Sequence, residues 1–233
     1  MSSQEEIRTT SASRPPRRRR PRRALTAAHR EKLEAIKAAA AEQFYWSGYA
    51  GTDLRTIADE TDMHVASLYN YISGKENLLF LIMQDGLAEI NNSLDRALEG
   101  TADPLERLRV GLQSHILHHA HRRHLGAVSH AEVRSLTGDL RAKMAQLRRQ
   151  YERRWDRMVI EGMEAGVIAP AEPRVIVYGL LAVGQSVSRW YDPNGKVSAA
   201  ELAEELADML LFGLIGRSEA ATDHVSATSV ESR

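Results

Sequence analysis

Gly51–Leu79 reads GTDLRTIADETDMHVASLYNYISGKENLL. Leu54, Ile57 and Ala58 fall on one face of a short segment that begins at Thr52. After a break at TDMH, VASLYNYI makes a second segment with Leu68 and Ile72 turned inward. Ser73-Gly74 ends it, and a longer helix begins around Lys75. Each segment is only about eight residues long, too short to stay helical alone, so the pair must pack on other helices and leave one face of the second free. That is the geometry of a helix-turn-helix, and equally of an ordinary helical hairpin; spacing does not separate the two. The free face carries His64, Ser67, Asn70 and Tyr71. Small and amide side chains can approach base edges, and hydroxyls suit phosphate oxygens.

Outward from this stretch the pattern is helical nearly throughout. Thr26 suits an N-cap, and Leu33, Ile36, Ala40 and Phe44 recur at helical spacing until the chain breaks near Gly48. The helix from Lys75 runs to about Leu98. Apolar periodicity predicts further helices at about 104–120, 124–136, 139–166, 172–191 and 198–216, punctuated by Gly138, Gly166, Pro170, Pro173, Pro193 and Gly195. This makes nine helices. No alternating β-branched stretch and no fixed-period repeat interrupts them, so the fold class is all-α.

The 233 residues are 43% hydrophobic, enough for a real core. No apolar run reaches the roughly 20 residues of a membrane span, and no apolar stretch follows the basic N-terminal segment as a secretory signal requires. A cytoplasmic protein with no membrane partner is expected. The absence of cysteine excludes disulfides, thiolate metal sites and cysteine nucleophiles. Formal net charge is zero, but it is unevenly spread: residues 1–32 hold ten Lys/Arg against three Asp/Glu, leaving 21 against 28 for the remainder. Most of the excess lies in RPPRRRRPRR, Arg14–Arg23. Residues 1–24 and 218–233 have too little apolar content to offset their ordering entropy, and both are expected to be disordered when free.

Phe44–Leu79, with its aromatic-Gly-Tyr exit from the first helix and the long helix that follows, resembles the N-terminal domain of the TetR family of transcriptional regulators. The match holds in register at Gly48, Thr52, Leu54, Ile57, Ala58, Ser67, Leu68, Tyr69, Tyr71, Lys75, Glu76 and Leu78. The resemblance implies a helix-turn-helix DNA-binding domain over 25–80 and a helical ligand-binding and dimerisation domain over 81–217. It implies that Thr52 and Arg55 face phosphates, that His64, Val65, Ala66, Ser67 and Asn70 lie in the major groove, and that Tyr69 meets the backbone. Lys75 would hold a further phosphate, aided by the positive end of its helix. Two departures stand out: Asp62 replaces a turn glycine, for which it is suited by its tolerance of left-handed φ, and Val65 replaces a more polar residue. Residues 33–80 are acidic, with three Lys/Arg against seven Asp/Glu. The tethered arginines Arg17, Arg18, Arg19, Arg20, Arg22 and Arg23 would supply the missing positive charge along phosphates or in the minor groove. A localisation signal or a solvated tail are the other readings of this arm.

In such regulators the last two helices pair across a two-fold axis. Here they are the most apolar of the chain, with Gly179, Ala182, Gly184 and Gly213 permitting close approach. A homodimer on a palindromic operator in double-stranded DNA is expected. Six of nine histidines cluster at His115, His118, His119, His121, His124 and His130. His115, His118 and His119 share a helical face as metal ligands do, yet the adjoining Arg122, Arg123 and helix break read as a solvent-facing corner. No metal or other cofactor is expected, and His115 and His130 are candidates to line a pocket. SRWYDPNG, Ser188–Gly195, reads as a helix stop, and also resembles the TetR-type regulators of fatty-acid, sterol or branched-chain catabolism that respond to acyl-CoA thioesters. That resemblance implies a small hydrophobic effector, an acyl-CoA among the candidates, with Arg122, Arg123, Arg134, Arg189 and Trp190 as contacts. A ligand-released repressor, not an enzyme, is expected. A histidine-rich metal protein or enzyme, and a helical module binding nucleic acid without sequence preference, are the alternatives.

Overall fold

The computed structural model describes residues 27–212. The arginine arm, Thr26, Gly213 and the C-terminal tail lie outside the described residues. Among the described residues there are nine α-helices, one 3-10 turn and no strand.

Helix α1 (Ala27–Gly51) buries Ile36, Ala40 and Phe44 at successive turns and kinks at Gly48, whose φ of 71° suits a residue without Cβ. Helix α2 (Leu54–Glu60) starts later than Thr52. Asp53 is its cap, accepting the Thr56 amide at 2.8 Å, and this bond holds the Asp53 carboxyl below the usual range. Asp62 makes the turn with φ 52°, the conformation expected of it. Helix α3 proper spans four residues, Val65–Leu68, shorter than its sequence pattern; the chain then tightens as Tyr71 and Ile72 both donate to the Leu68 carbonyl.

Helix α4 (Lys75–Leu98) runs as expected. Helix α5 (Pro104–His121) is capped by Asp103, with proline in the first turn where its missing amide costs nothing. One helix was expected over 124–136, but α6 (Arg123–Ala131) ends early and a 3-10 turn follows over Glu132–Ser135. Glu132 there accepts the Tyr49 amide and the Ser135 hydroxyl, contacts that a continuing helix does not require. Helices α7 (Gly138–Glu164), α8 (Pro173–Trp190) and α9 (Ala199–Phe212) complete the body.

Two apolar cores share α4. One holds Ile36, Phe44, Ile57, Leu68 and Leu78–Met83 of the head together with Val128, Leu136 and Met144 of the body. The other joins Ile90 and Leu94 to α5, α7, α8 and α9 around Trp155. Residue 80, the expected domain boundary, therefore sits inside a helix common to both. On α8 the residues Val175, Tyr178, Gly179, Ala182 and Trp190 form an exposed stripe. Gly184 points the other way, into the α5 contact. No helix among the described residues is long and apolar enough to cross a membrane.

Candidate functional site

The head is assembled by small polar latches. Thr52 is buried, and its hydroxyl donates to the Gln43 and Gly48 carbonyls at 3.1 and 2.9 Å. The Lys75 ammonium donates to the Tyr49 and Thr52 carbonyls, both at 2.7 Å, and lies 4.4 Å from the centroid of the Tyr49 ring. Both side chains thus tie the end of α1 to α2 and α4. Arg55, His64, Ala66, Tyr69 and Asn70 are exposed, Val65 and Ser67 partly so. Tyr71 stacks on His29 of α1, with ring centroids 4.4 Å apart, so it belongs to the packing of the head more than to its free face. What remains outward is a small polar surface around α3, with one arginine at the start of α2.

Behind the head lies a cavity of about 110 Å³ that opens to solvent. Helix α4 gives it Met83, Gly86, Leu87 and Ile90; α5 gives it His115, His118 and His119. Leu125, Gly126, Ser129 and His130 of α6, Met144, Arg148, Tyr151 and Glu152 of α7, and Leu181 and Gln185 of α8 close the wall. The cavity is two-sided in chemistry: a carbon surface from α4, a ring of bases from α5 to α7.

His115 is buried. Its Nε2 lies 3.2 Å from the Leu181 carbonyl, which can only accept, so the ring proton sits on Nε2 and Nδ1 accepts from the Tyr151 hydroxyl at 2.9 Å. Burial pushes His115 down to about 4 and His119 to about 2, the latter also through His115, His118 and His130. His118 falls to about 4 by burial and by Arg122. At neutral pH these rings are uncharged.

A description of the C-terminal domain of tetracycline-repressor-like proteins matches residues 101–214, and one of bacterial regulatory proteins of the tetR family matches residues 36–82. The chain belongs to the TetR family. Among its relatives, the HTH-type transcriptional repressor KstR2 of Mycolicibacterium smegmatis is 27% identical over 178 residues, covering 75% of this chain and 86% of that one. A TetR-family regulatory protein from Rhodococcus RHA1 superposes with a TM-score of 0.74 at 26% identity, over 78% of this chain and 96% of that one. AibR, solved with isovaleryl coenzyme A and operator DNA, gives 0.72 at 28% identity, over 77% and 98%. The protein is accordingly a helix-turn-helix transcriptional regulator with a ligand-binding body, and not an enzyme.

Within this TetR frame the expected ligand residues part company. His115 and His130 line the cavity. Arg122 pairs with Glu89 at 3.0 Å beside a surface groove, and Arg134 is exposed on the 3-10 turn. Arg123 is partly buried and does not line the cavity; Arg189 borders a separate cleft with His130 and Ser188. Trp190 is exposed and donates to the Ser186 hydroxyl at 3.2 Å. The histidine cluster divides: α5, packed between α4 and α8, turns His115 and His119 inward, whereas His121, Arg122 and His130 face solvent. Nor do three histidine or carboxylate side chains converge as a metal site among the described residues.

Arg148, Tyr151, Glu152 and Gln185 escaped sequence reasoning. A signal existed for the first: Met144, Arg148, Tyr151 and Trp155 recur at helical spacing, so Arg148 interrupts an otherwise apolar stripe.

Proposed function

We propose that the protein is a cytoplasmic, homodimeric repressor that covers a palindromic operator and is released by a small amphipathic effector, an acyl-CoA thioester being the favoured class. One observation carries the reading: α4 begins in the DNA-reading head at Lys75 and, two to four turns on, lines the cavity with Met83, Gly86, Leu87 and Ile90. A ligand that displaces α4 must also move the head. Only about 1–3 kcal/mol of coupling is needed to change DNA affinity some 5- to 150-fold. The exposed stripe on α8 supports the dimer, and the isovaleryl-CoA and operator DNA bound by AibR support the effector and the target.

Base contact is assigned to His64–Ser67 and Asn70, phosphate contact to Arg55, Tyr69 and the arginine arm. Thr52 and Lys75 serve by holding α1, α2 and α4 together. Selection of bound sequences from a random duplex library tests the reading. A palindrome with half-sites about one helical turn apart is expected; recovery of no common sequence would refute it. An acyl-CoA panel then scores thermal stabilisation together with loss of DNA binding.

A further inference from the structure

Helix α7 buries Met144, Tyr151, Trp155 and Met158 along one stripe. Arg148 stands on that stripe, lines the cavity, and spends one guanidinium N–H on the Ser129 carbonyl at 2.8 Å. A guanidinium carries five donors. Four arginines of the body meet carboxylates: Arg109 with Asp208, Arg154 with Asp95, Arg107 with Glu161 and Arg122 with Glu89. Among the described residues Arg148 makes no such pair. Burial works against its charge, opposed by Glu152 one turn away.

The rest of the wall is rich in nitrogen donors and acceptors: four neutral histidines stand beside Arg148 and the single carboxylate, Glu152. His119 presses its Nδ1 against Gly126, where a methyl group would come within 2.9 Å, and that nitrogen is buried with no partner. The proton of the neutral ring therefore belongs on Nε2, which makes His119 a donor among the cavity residues. An arginine with unused donors and a histidine N–H, facing the carbon surface of α4, describe a receptor for a carbon chain ending in an anion.

We propose that the end of the effector that enters this cavity bears a carboxylate, seated on Arg148 and assisted by His119. The proposal rests on the cavity being the effector site and goes further in naming the ligand's buried terminus. That carboxylate has two sources, the far end of a dicarboxylic acyl thioester or a free carboxylic acid.

Binding is measured by calorimetry on the full chain with matched pairs: glutaryl-CoA against valeryl-CoA, suberyl-CoA against octanoyl-CoA, and, for the free acid, octanoate against octanamide. Within at least one pair the ligand with the extra carboxylate should bind roughly tenfold tighter or better, the scale of a charge-assisted hydrogen bond. Preference among the thioesters alone identifies the dicarboxylic thioester; preference for octanoate over octanamide alone identifies the acid, and then the thioester reading fails while this one stands. Arg148→Gln should abolish the preference while keeping affinity for the partner that lacks the carboxylate, and Arg148→Lys should retain part of it. Equal affinities within every pair, tighter binding of the ligands that lack the carboxylate, an equal loss for both partners in Arg148→Gln, or no binding by any probe would each overturn the proposal. Melting of each free variant shows whether it is folded; if Arg148→Gln is not, the wild-type pairs decide alone.

Discussion

The imidazole of His115 lies so close to Gly184 that a methyl group on that glycine would come within 2.2 Å of Cδ2. The ring has nowhere to go, being tied at one nitrogen to Tyr151 and at the other to the Leu181 carbonyl. Gly184→Ala should destabilise the protein by about 1–3 kcal/mol, the usual cost of overpacking. In a chain of this size each kcal/mol lowers the melting temperature by roughly 2–4 °C. Differential scanning calorimetry reads this directly, and an unchanged melting temperature would show that α5 and α8 separate more easily than the packing implies.

Acid should loosen the body through the same ring. A histidine held at about 4 when folded and near 6.5 when unfolded contributes nothing to the pH dependence above 6.5, where both states are neutral. Below that the unfolded chain takes up the proton first, so stability falls between pH 6.5 and 4, by about 3 kcal/mol for a shift of this size. His118 and His119 act in the same direction. Urea unfolding across this range should steepen toward acid, and His115→Gln should flatten the curve.

Lys75 offers a clean choice between latch and phosphate contact. If its two carbonyl bonds are its task, Lys75→Met lowers the melting temperature, with a cost of about 1.5–3 kcal/mol, and leaves the salt dependence of DNA binding unchanged. A phosphate contact predicts the reverse: intact stability and a salt slope smaller by about one. The latch outcome is expected.

The dimer hypothesis is tested on α8. Val175 and Tyr178 are 69% and 52% exposed in the single chain. Val175→Asp and Tyr178→Asp should leave helicity by circular dichroism unchanged while sedimentation shifts toward monomer and operator affinity collapses. Dimers that persist through both substitutions would place the interface elsewhere.

Deleting residues 1–23 should weaken operator binding and flatten its salt slope while leaving base preference intact, because phosphate neutralisation carries no sequence information. Undiminished affinity at physiological salt would exclude the arm as a DNA contact.

Helix positions were legible because apolar spacing and breakers act locally: α4 begins and ends where its pattern does, and Asp62 adopts the left-handed turn its side chain tolerates. The ends set by distant contacts were not. Helix α2 begins at Leu54 and not at Thr52, because Thr52 is drawn into α1 and Asp53 caps the helix, and α6 ends where Glu132 reaches Tyr49. The cavity wall was half legible. His115 and His130 stand out by composition, but that Arg148 faces them across the cavity depends on how α5, α6 and α7 pack, which no local pattern contains. Of the basic contacts that the resemblance implies, the fold places Arg122 on the surface and Arg123 away from the cavity.

The apolar centre of the head is finished by Val128, Leu136 and Met144, contributed from more than forty residues downstream of Leu78 and Leu79. The reading head is therefore not a detachable cassette. A chain cut after α4, or a chimera joining this head to a foreign sensor, would open that centre to water unless the graft carried α6 and the start of α7 with it. Operator choice and effector sensing in this protein have to be inherited, or engineered, as a single piece.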